Sequence, residues 1–480
     1  MLLPVYFVLH GVTENFPAIP TKDALLLLGL YLMSSLVIFA LAWLAYKNIT
    51  KAALFSFCIM AFHFFFGAMQ DILKRWSDSF FTRYSFLFLF FFIVFVYFVV
   101  WLWRTKKPMK KLCFYLNLLL LILLLIDSGW LLYKNFSTSN EKLMARQDPI
   151  APACDTCAKP DIYFLLFDEY AGSSAMKELW NYNNDDLDGF LLKKGFRIQP
   201  YSRSNYNFTP FSMASTLSMD YLHTVSNPQA CTVKDYTEMA SEIKNNRVCS
   251  FLESTGFTII NHSIFDLDKN PAIVFESFLP LKTRLITSQT FLSRVQKDLM
   301  HLLLVGRFEI KWLSKDLIYS TYHNNEKLIR ATLNESLRSS HKPRFIYSHI
   351  EMPHPPFYFN KKGKQDDKAT LIAENKSLPI KSYLEYLPYT NEVIKKIVNS
   401  ILTNTKKPVV IILMGDHGFR TKQPKPYHFR NQNAIYISSG NYKGFYDSIS
   451  NVNEFRVLFN NLFHTSLPLL KDSTSFLVDE

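Results

Sequence analysis

The chain has 480 residues, with 53 Lys and Arg against 40 Asp and Glu, a net charge of +13. That length suits two domains. The basic residues are dispersed or gather at the ends of apolar stretches, and no DNA- or RNA-recognition motif occurs. This argues against nucleic acid and for membrane topology together with an anionic surface or substrate.

The 43 Phe residues are densest in the first third. Four apolar stretches lie there, at 23–46, 52–73, 84–103 and 112–133. Each is near the ~20 residues that cross a bilayer as a helix. Residues 1–12 are apolar but short, without the basic start or small-residue cleavage site of a signal peptide. They are expected to form a short or half-inserted first span, giving about five spans in a transmembrane domain over 1–134. The basic loop from Arg104 to Lys111 belongs in the cytoplasm, with Lys47 and Lys51 on the same side. The N-terminus is then cytoplasmic and everything after Lys134 lies outside. Lys74, Arg75 and Arg83 fall on the outer side, against the rule. A soluble bundle is a poor alternative, because a run such as 84–100 offers no polar face.

Residues 135–160 are polar and read as a tether. They carry Cys154 and Cys157; Cys231 and Cys249 follow downstream, while Cys58 and Cys113 sit in apolar spans. Four cysteines in an outward-facing domain favour two disulfides, most simply Cys154–Cys157 and Cys231–Cys249. A four-cysteine zinc site is the weaker alternative, since only the first pair has Cys-x-x-Cys spacing.

From residue 161 short apolar runs alternate with amphipathic helices, the pattern of an α/β domain with a mainly parallel sheet over 161–480. Ile162–Phe167 is the first strand and ends in Asp168-Glu169. Asn205–Leu217 follows, with Pro210 suited to a first helical position and Thr209 expected at the N-cap, at the positive end of the helix dipole. Ser212 and Ser215 fall inside this helix and are weaker nucleophiles. A stretch over 291–313 is amphipathic and expected either on the membrane surface or, more commonly, packed on its own domain. The strand over 344–350 runs into Glu351-Met352-Pro353-His354-Pro355-Pro356, where prolines fix the direction of His354. A His so placed is a phosphate ligand or a proton donor to a leaving group; His349 is assigned a structural role. Residues 360–376 read as a polar loop. Val409–Leu413 is a buried parallel strand ending in Gly415-Asp416-His417-Gly418. Asp and neutral His are good ligands for Zn²⁺ or Mn²⁺, and ligands gather at the carboxyl ends of strands in such sheets. His428 and Arg430, before a further apolar run, are additional candidates for holding phosphate.

Together these strand ends resemble the alkaline phosphatase/sulfatase superfamily, and within it the membrane-anchored branch of lipoteichoic acid synthase-like phosphoglycerol transferases and lipid A phosphoethanolamine transferases. The residues that carry the resemblance are Phe-Asp168-Glu, Asn-Phe-Thr209, Pro-His354-Pro-Pro-Phe and Gly-Asp416-His417-Gly. The resemblance implies a multi-pass protein of the bacterial inner membrane with a sulfatase-like extracytoplasmic domain. It also implies one divalent metal, Zn²⁺ or Mn²⁺, held by Asp168, Thr209, Asp416 and His417. Thr209 would attack a membrane phospholipid donor, carry its head-group phosphate covalently and pass it to an envelope lipid or glycan, with His354 binding or protonating substrate. Two departures are visible: Asp168 stands where the transferases often have Glu, and the sulfatase signature Cys-x-Pro-Ser-Arg is absent around Thr209. A hydrolase passing the group to water is the alternative within enzymes. A catalytically inactive membrane-anchored binding protein is the alternative from another class.

Overall fold

The computed structural model describes residues 2–16, 19–76, 84–144, 150, 154, 157–225, 227–274, 283–295, 318–421 and 423–479. The chain divides into two units: residues 1–147 with 280–308, and 148–279 with 309–480.

The first unit is helical. Its helices are α1 (Leu2–Glu14), α2 (Thr21–Tyr46), α3 (Ile49–Trp76), α4 (Tyr84–Arg104) and α5 (Lys110–Met144). Three of them, over Thr21–Tyr46, Ile49–Leu73 and Lys110–Phe136, are long and apolar enough to cross a membrane. The described apolar stretches of the other two, Leu2–Glu14 and Leu89–Arg104, are shorter. Their outward side chains are Leu, Phe, Val, Ile and Trp, a surface suited to lipid rather than water. Helix α5 continues past Tyr133 to Met144, so the first ten residues of the expected tether are helical.

A second difference from expectation concerns the described part of 280–308. Its short helix α11 (Arg284–Thr287) and the residues after it pack on the helical unit. The Gly67 amide donates to the Gln289 carbonyl at 2.8 Å. Arg294 pairs with Asp71 at 2.6 Å, and Phe291 meets Phe62 and Phe66. Within the stretch 291–313, Phe291 therefore serves a contact with α3, while the preceding helix packs against α1. The rest of that stretch, from 296, lies outside the described residues.

The second unit is an α/β domain around a six-stranded sheet ordered β2-β6-β5-β1-β4-β3. Its central strands, β1 (Asp161–Phe167), β4 (Arg344–Ile350) and β5 (Val409–Met414), are parallel and wholly buried. After Asp161, β1 reads in sequence as an unbroken apolar run, as does β5, whereas β4 is interrupted by Ser348 and His349. Strand β3 (Thr258–His262) adds in parallel to β4, while β6 (Asn433–Ile437) is antiparallel to β5 and pairs with the short β2 (Arg197–Ile198). At the start of the sheet Arg344 bridges Asp161 at 2.6 Å and Glu335 at 2.7 Å, which pins the β1/β4 register. The register places Leu166 beside both His349 and Met414, so the three strands end level and deliver Asp168, Glu351 and Asp416 to one edge.

Behind this edge, helix Asn451–Phe463 buries Glu454, which accepts a hydrogen bond from Asn433 at 3.0 Å. Burial pushes its carboxyl up to about 7. Between its unfolded value and pH 7 the folded state holds a proton that the unfolded state releases, so stability falls as pH rises through that window. Glu454→Gln is expected to leave stability at pH 5 nearly unchanged and to raise it at pH 8, by at most about 3 kcal/mol. Thermal melts of the two proteins across that range check this.

Candidate active site

The strand ends carry the site. Beyond β5 the backbone must pass close to two neighbouring segments. A Cβ on Gly415 would lie 2.5 Å from the Tyr170 carbonyl oxygen, and one on Gly418 would lie 2.7 Å from that of Arg430. Glycine is required at both places, and the turn they permit places Asp416 and His417 side by side. Beyond β1, Glu169 takes a left-handed backbone conformation, φ 61°, which is costly for a residue with a Cβ. The conformation aims the Glu169 amide at Asp416 Oδ1, 2.9 Å away.

Asp168, Asp416 and His417 come together with potential ligand atoms all within 4.8 Å of one another, and all three are fully buried. His417 Nδ1–H donates to the Gly418 carbonyl at 2.9 Å, which leaves the Nε2 lone pair facing the carboxylates. Thr209 places Oγ1 3.3 Å from that Nε2. Its helix α8 runs Thr209–Ser218 with Pro210 in the first turn and Phe208, rather than Thr209, in the capping position. The hydroxyl is thus at the helix start but is not spent on a cap. Ser212 and Ser215 donate their hydroxyls to the carbonyls of Asp416 and Asp220, each at 2.6 Å, which removes them as nucleophiles.

The donor set fits a divalent cation. Asp168 Oδ1 and Asp416 Oδ2 are buried without a hydrogen-bond partner, which is expensive for anionic oxygens unless a cation compensates them. Burial works against ionisation of both carboxyls. His354, His349 and His417 nevertheless hold Asp168 below the usual range, whereas burial and the Asp168 charge push Asp416 above it. Two carboxylates, an imidazole and a hydroxyl are ligands of the zinc and manganese type. His349 proves more than a packing residue. It is fully buried, contacts Asp168 Oδ2 through Nε2 at 3.3 Å, and accepts from the Tyr347 hydroxyl on Nδ1 at 2.9 Å. It orients the carboxylate as outer-shell groups orient metal ligands. His349→Phe is expected to weaken metal affinity by roughly 10–100-fold, as read by competition with a chelator.

Beside this cluster lies a cavity of about 550 Å³, lined by Glu169, Asn207, Phe208, His354, Arg420, His428 and the segment 476–479 among others; Glu169 and Phe208, the chain neighbours of Asp168 and Thr209, connect it to the cluster. His354 lies between two cis X-Pro bonds. Its Nδ1–H donates to the Pro355 carbonyl at 2.7 Å, and Nε2 is 4.0 Å from Glu169 Oε2. His428 also lines the cavity; burial holds its pKa below the ordinary value, and its Nε2–H donates to the Gln423 carbonyl. Arg430 is a correction. It is not among the residues lining the cavity; its Nη2 donates instead to Ser174 at 2.7 Å and Glu178 at 3.2 Å. Residues 360–376 also differ from expectation, since a helix (Lys368–Ser377) occupies their second half, capped by Asp367.

The cysteines divide. Cys154 and Cys157 form a disulfide. Cys231 and Cys249 are free, contrary to the expected second bridge, and the four-cysteine metal site is not formed. Cys231 precedes helix Val233–Lys244 and hydrogen-bonds the Val478 carbonyl through its amide, whereas Cys249 lies within helix Arg247–Ser254. Burial raises the thiols to about 11 and about 12, so both remain protonated, small apolar groups.

Sequence reasoning passed over Glu169, Arg420 and residues 476–479. Arg420 had a signal, a cation two residues beyond the Asp-His-Gly turn. The 476–479 segment had none, because its contacts with Asn207, Pro228 and Cys231 are all distant in sequence.

A mainly parallel α/β sheet thus brings two carboxylates, a histidine and a hydroxyl together at the carboxyl ends of its central strands. The chain belongs to the sulfatase family: residues 233–472, half its length, match the family model described as Sulfatase. The match begins after Asp168 and Thr209 and contains His354, Asp416 and His417. No curated protein matches the chain. Solved structures that resemble it include the integral membrane lipooligosaccharide phosphoethanolamine transferase A (EptA) from Neisseria meningitidis. That likeness has 13% identity and a TM-score of 0.41, covering 99% of this chain and 96% of that one. The C-terminal periplasmic domain of EcEptC from Escherichia coli, in complex with Zn, resembles it with 8% identity and a TM-score of 0.40, over 68% of this chain and 91% of that one. The corresponding domain of phosphoethanolamine transferase EptC from Campylobacter jejuni gives 13% and 0.38, over 67% and 96%.

Proposed function

We propose that the protein is a metal-dependent membrane phosphotransferase. It moves a phospholipid head group, phosphoethanolamine or phosphoglycerol, to an envelope lipid or glycan through a covalent phosphothreonine. The apolar helices are placed in a bacterial inner membrane and the α/β unit on its extracytoplasmic side. The observation that carries this reading is the Thr209 hydroxyl, uncommitted to a cap and 3.3 Å from His417 Nε2, beside two orphaned carboxylate oxygens.

Asp168, Thr209, Asp416 and His417 would hold the ion. When bound, Zn²⁺ or Mn²⁺ supplies positive charge that favours the Thr209 alkoxide and neutralises phosphate. The residues of the chain do the rest. Thr209 Oγ forms a bond to phosphorus as the bond to the diacylglycerol oxygen breaks. His354, with Nδ1–H committed to the Pro355 carbonyl and Nε2 4.0 Å from Glu169 Oε2, donates an Nε2 proton to that leaving oxygen. In the second half an acceptor hydroxyl returns a proton to His354 and displaces Thr209. Catalysis is mainly positioning and charge complementarity.

The test uses the purified full-length protein with Zn²⁺ or Mn²⁺ and labelled phosphatidylethanolamine or phosphatidylglycerol. The expected result is diacylglycerol release from one of them. Absence of release from both, with metal bound, overturns the donor assignment.

A further inference from the structure

The guanidinium of Arg420 lies in the same cavity as His354 and His428, with no role assigned so far. Three contacts fix it. Its Nε donates to Glu169 Oε1 at 3.3 Å, and its amide donates to the same oxygen at 3.1 Å. Its Nη1 donates to the Asn207 carbonyl at 3.3 Å. Its plane lies over the Phe208 ring, 5.4 Å from the centroid. Each partner adjoins a residue of the site: Glu169 follows Asp168, Asn207 and Phe208 precede Thr209, and Arg420 itself is three residues beyond His417. The guanidinium is therefore tied to all three segments that build the site, so its distance from the nucleophile is set by the backbone. Its Nη2 has no hydrogen-bond partner among the described residues, and a quarter of the side chain remains exposed.

We propose that Arg420 binds the non-bridging oxygens of the phosphoryl group in the cavity, with Glu169, Asn207 and Phe208 holding its fork in place. The inference rests on the phosphotransferase reading for its substrate, but the ligand chemistry it names, a tetrahedral oxyanion, is narrower and can be tested alone. Arginine suits this position. Its donors lie in one plane, match phosphate in pairs and stay charged at any working pH. The Glu169 contact occupies Nε and the Asn207 contact one Nη1 hydrogen, which leaves the Nη2 edge available. A donor held before substrate arrives costs no reorganisation during reaction.

The experiment titrates inorganic phosphate into the zinc-loaded full-length protein by calorimetry, with zinc content measured in parallel. Arg420→Ala is expected to weaken phosphate binding by at least roughly tenfold at unchanged zinc content. Because Ala leaves buried Glu169 without its partner, Arg420→Gln is read beside it; Gln keeps a donor for Glu169 and drops the charge. A folded, zinc-loaded Ala or Gln variant that binds phosphate within about twofold of wild type overturns the proposal. In the lipid assay, added guanidinium is expected to restore part of the diacylglycerol release lost in Arg420→Ala, a response that a packing role would not give. Arg420-dependent phosphate binding without release from either lipid supports this inference while overturning the donor reading. Release from a lipid with Arg420-independent phosphate binding does the reverse.

Discussion

Thr209→Ala is expected to lower diacylglycerol release by roughly 10³-fold or more, the scale seen when a covalent nucleophile is removed. Its helix should persist, and three of the four candidate ligands, Asp168, Asp416 and His417, remain to hold the metal. The reasons are local. Ser212 and Ser215 already donate to backbone carbonyls, so no neighbouring hydroxyl can substitute. The cap position belongs to Phe208, so the helix loses no cap. What the fold loses is one small, 4% exposed side chain, at a cost of about 1 kcal/mol. Assaying release alongside circular dichroism and metal content separates chemistry from folding. Retained activity would remove Thr209 as the nucleophile.

The second large effect concerns the buried carboxylates. In the metal-free protein Asp168 and Asp416 oppose each other, with one oxygen of each unpartnered. An ion relieves both penalties, so zinc should stabilise the wild type by about 4 kcal/mol at a thousandfold excess over its dissociation constant. Asp416→Asn removes one charge from the pair. Its metal-free form should melt no lower than that of the wild type, while the zinc-dependent rise in Tm and the activity both disappear. Chelation should take the wild type to the same inactive state, reversibly. Melting curves with and without zinc decide this. An Asp416→Asn variant that keeps the full zinc-dependent rise would show that the ion is held elsewhere.

The centre of the fold was legible because β1, β4 and β5 are buried on both faces and therefore spelled mostly in apolar residues, uninterrupted in β5 and broken by Ser348 and His349 in β4, each followed within two residues by a carboxylate. The cluster that the structure gathers was legible for a related reason: Asp168 and Asp416-His417 each follow a strand, and Thr209 is marked by Pro210. Less legible were features set by distant partners. Arg430 looked like a phosphate ligand until Glu178 and Ser174, some 250 positions earlier, accounted for it. His349 alternates with apolar residues in a strand, and nothing local shows that its ring reaches Asp168. Cys231 and Cys249 suggested a bridge by cysteine number and compartment alone, yet one precedes a helix and the other is inside the next. The described residues of 280–308 carry the same mixture of Leu, Phe and Arg whether they pack on the helical unit or on their own domain. The Gln289–Gly67, Arg294–Asp71 and Phe291–Phe62 contacts distinguish the two.

The central claim is that a head-group phosphate passes through Thr209. Its most direct test is to mix zinc-loaded protein with labelled phosphatidylethanolamine or phosphatidylglycerol in the absence of an acceptor, quench in acid and map the label by peptide mass spectrometry. The account predicts one phosphorylated head group per chain, on the peptide containing Thr209, formed together with diacylglycerol and absent from Thr209→Ala. Diacylglycerol formed with no adduct at any time point, or an adduct on another residue, would contradict it.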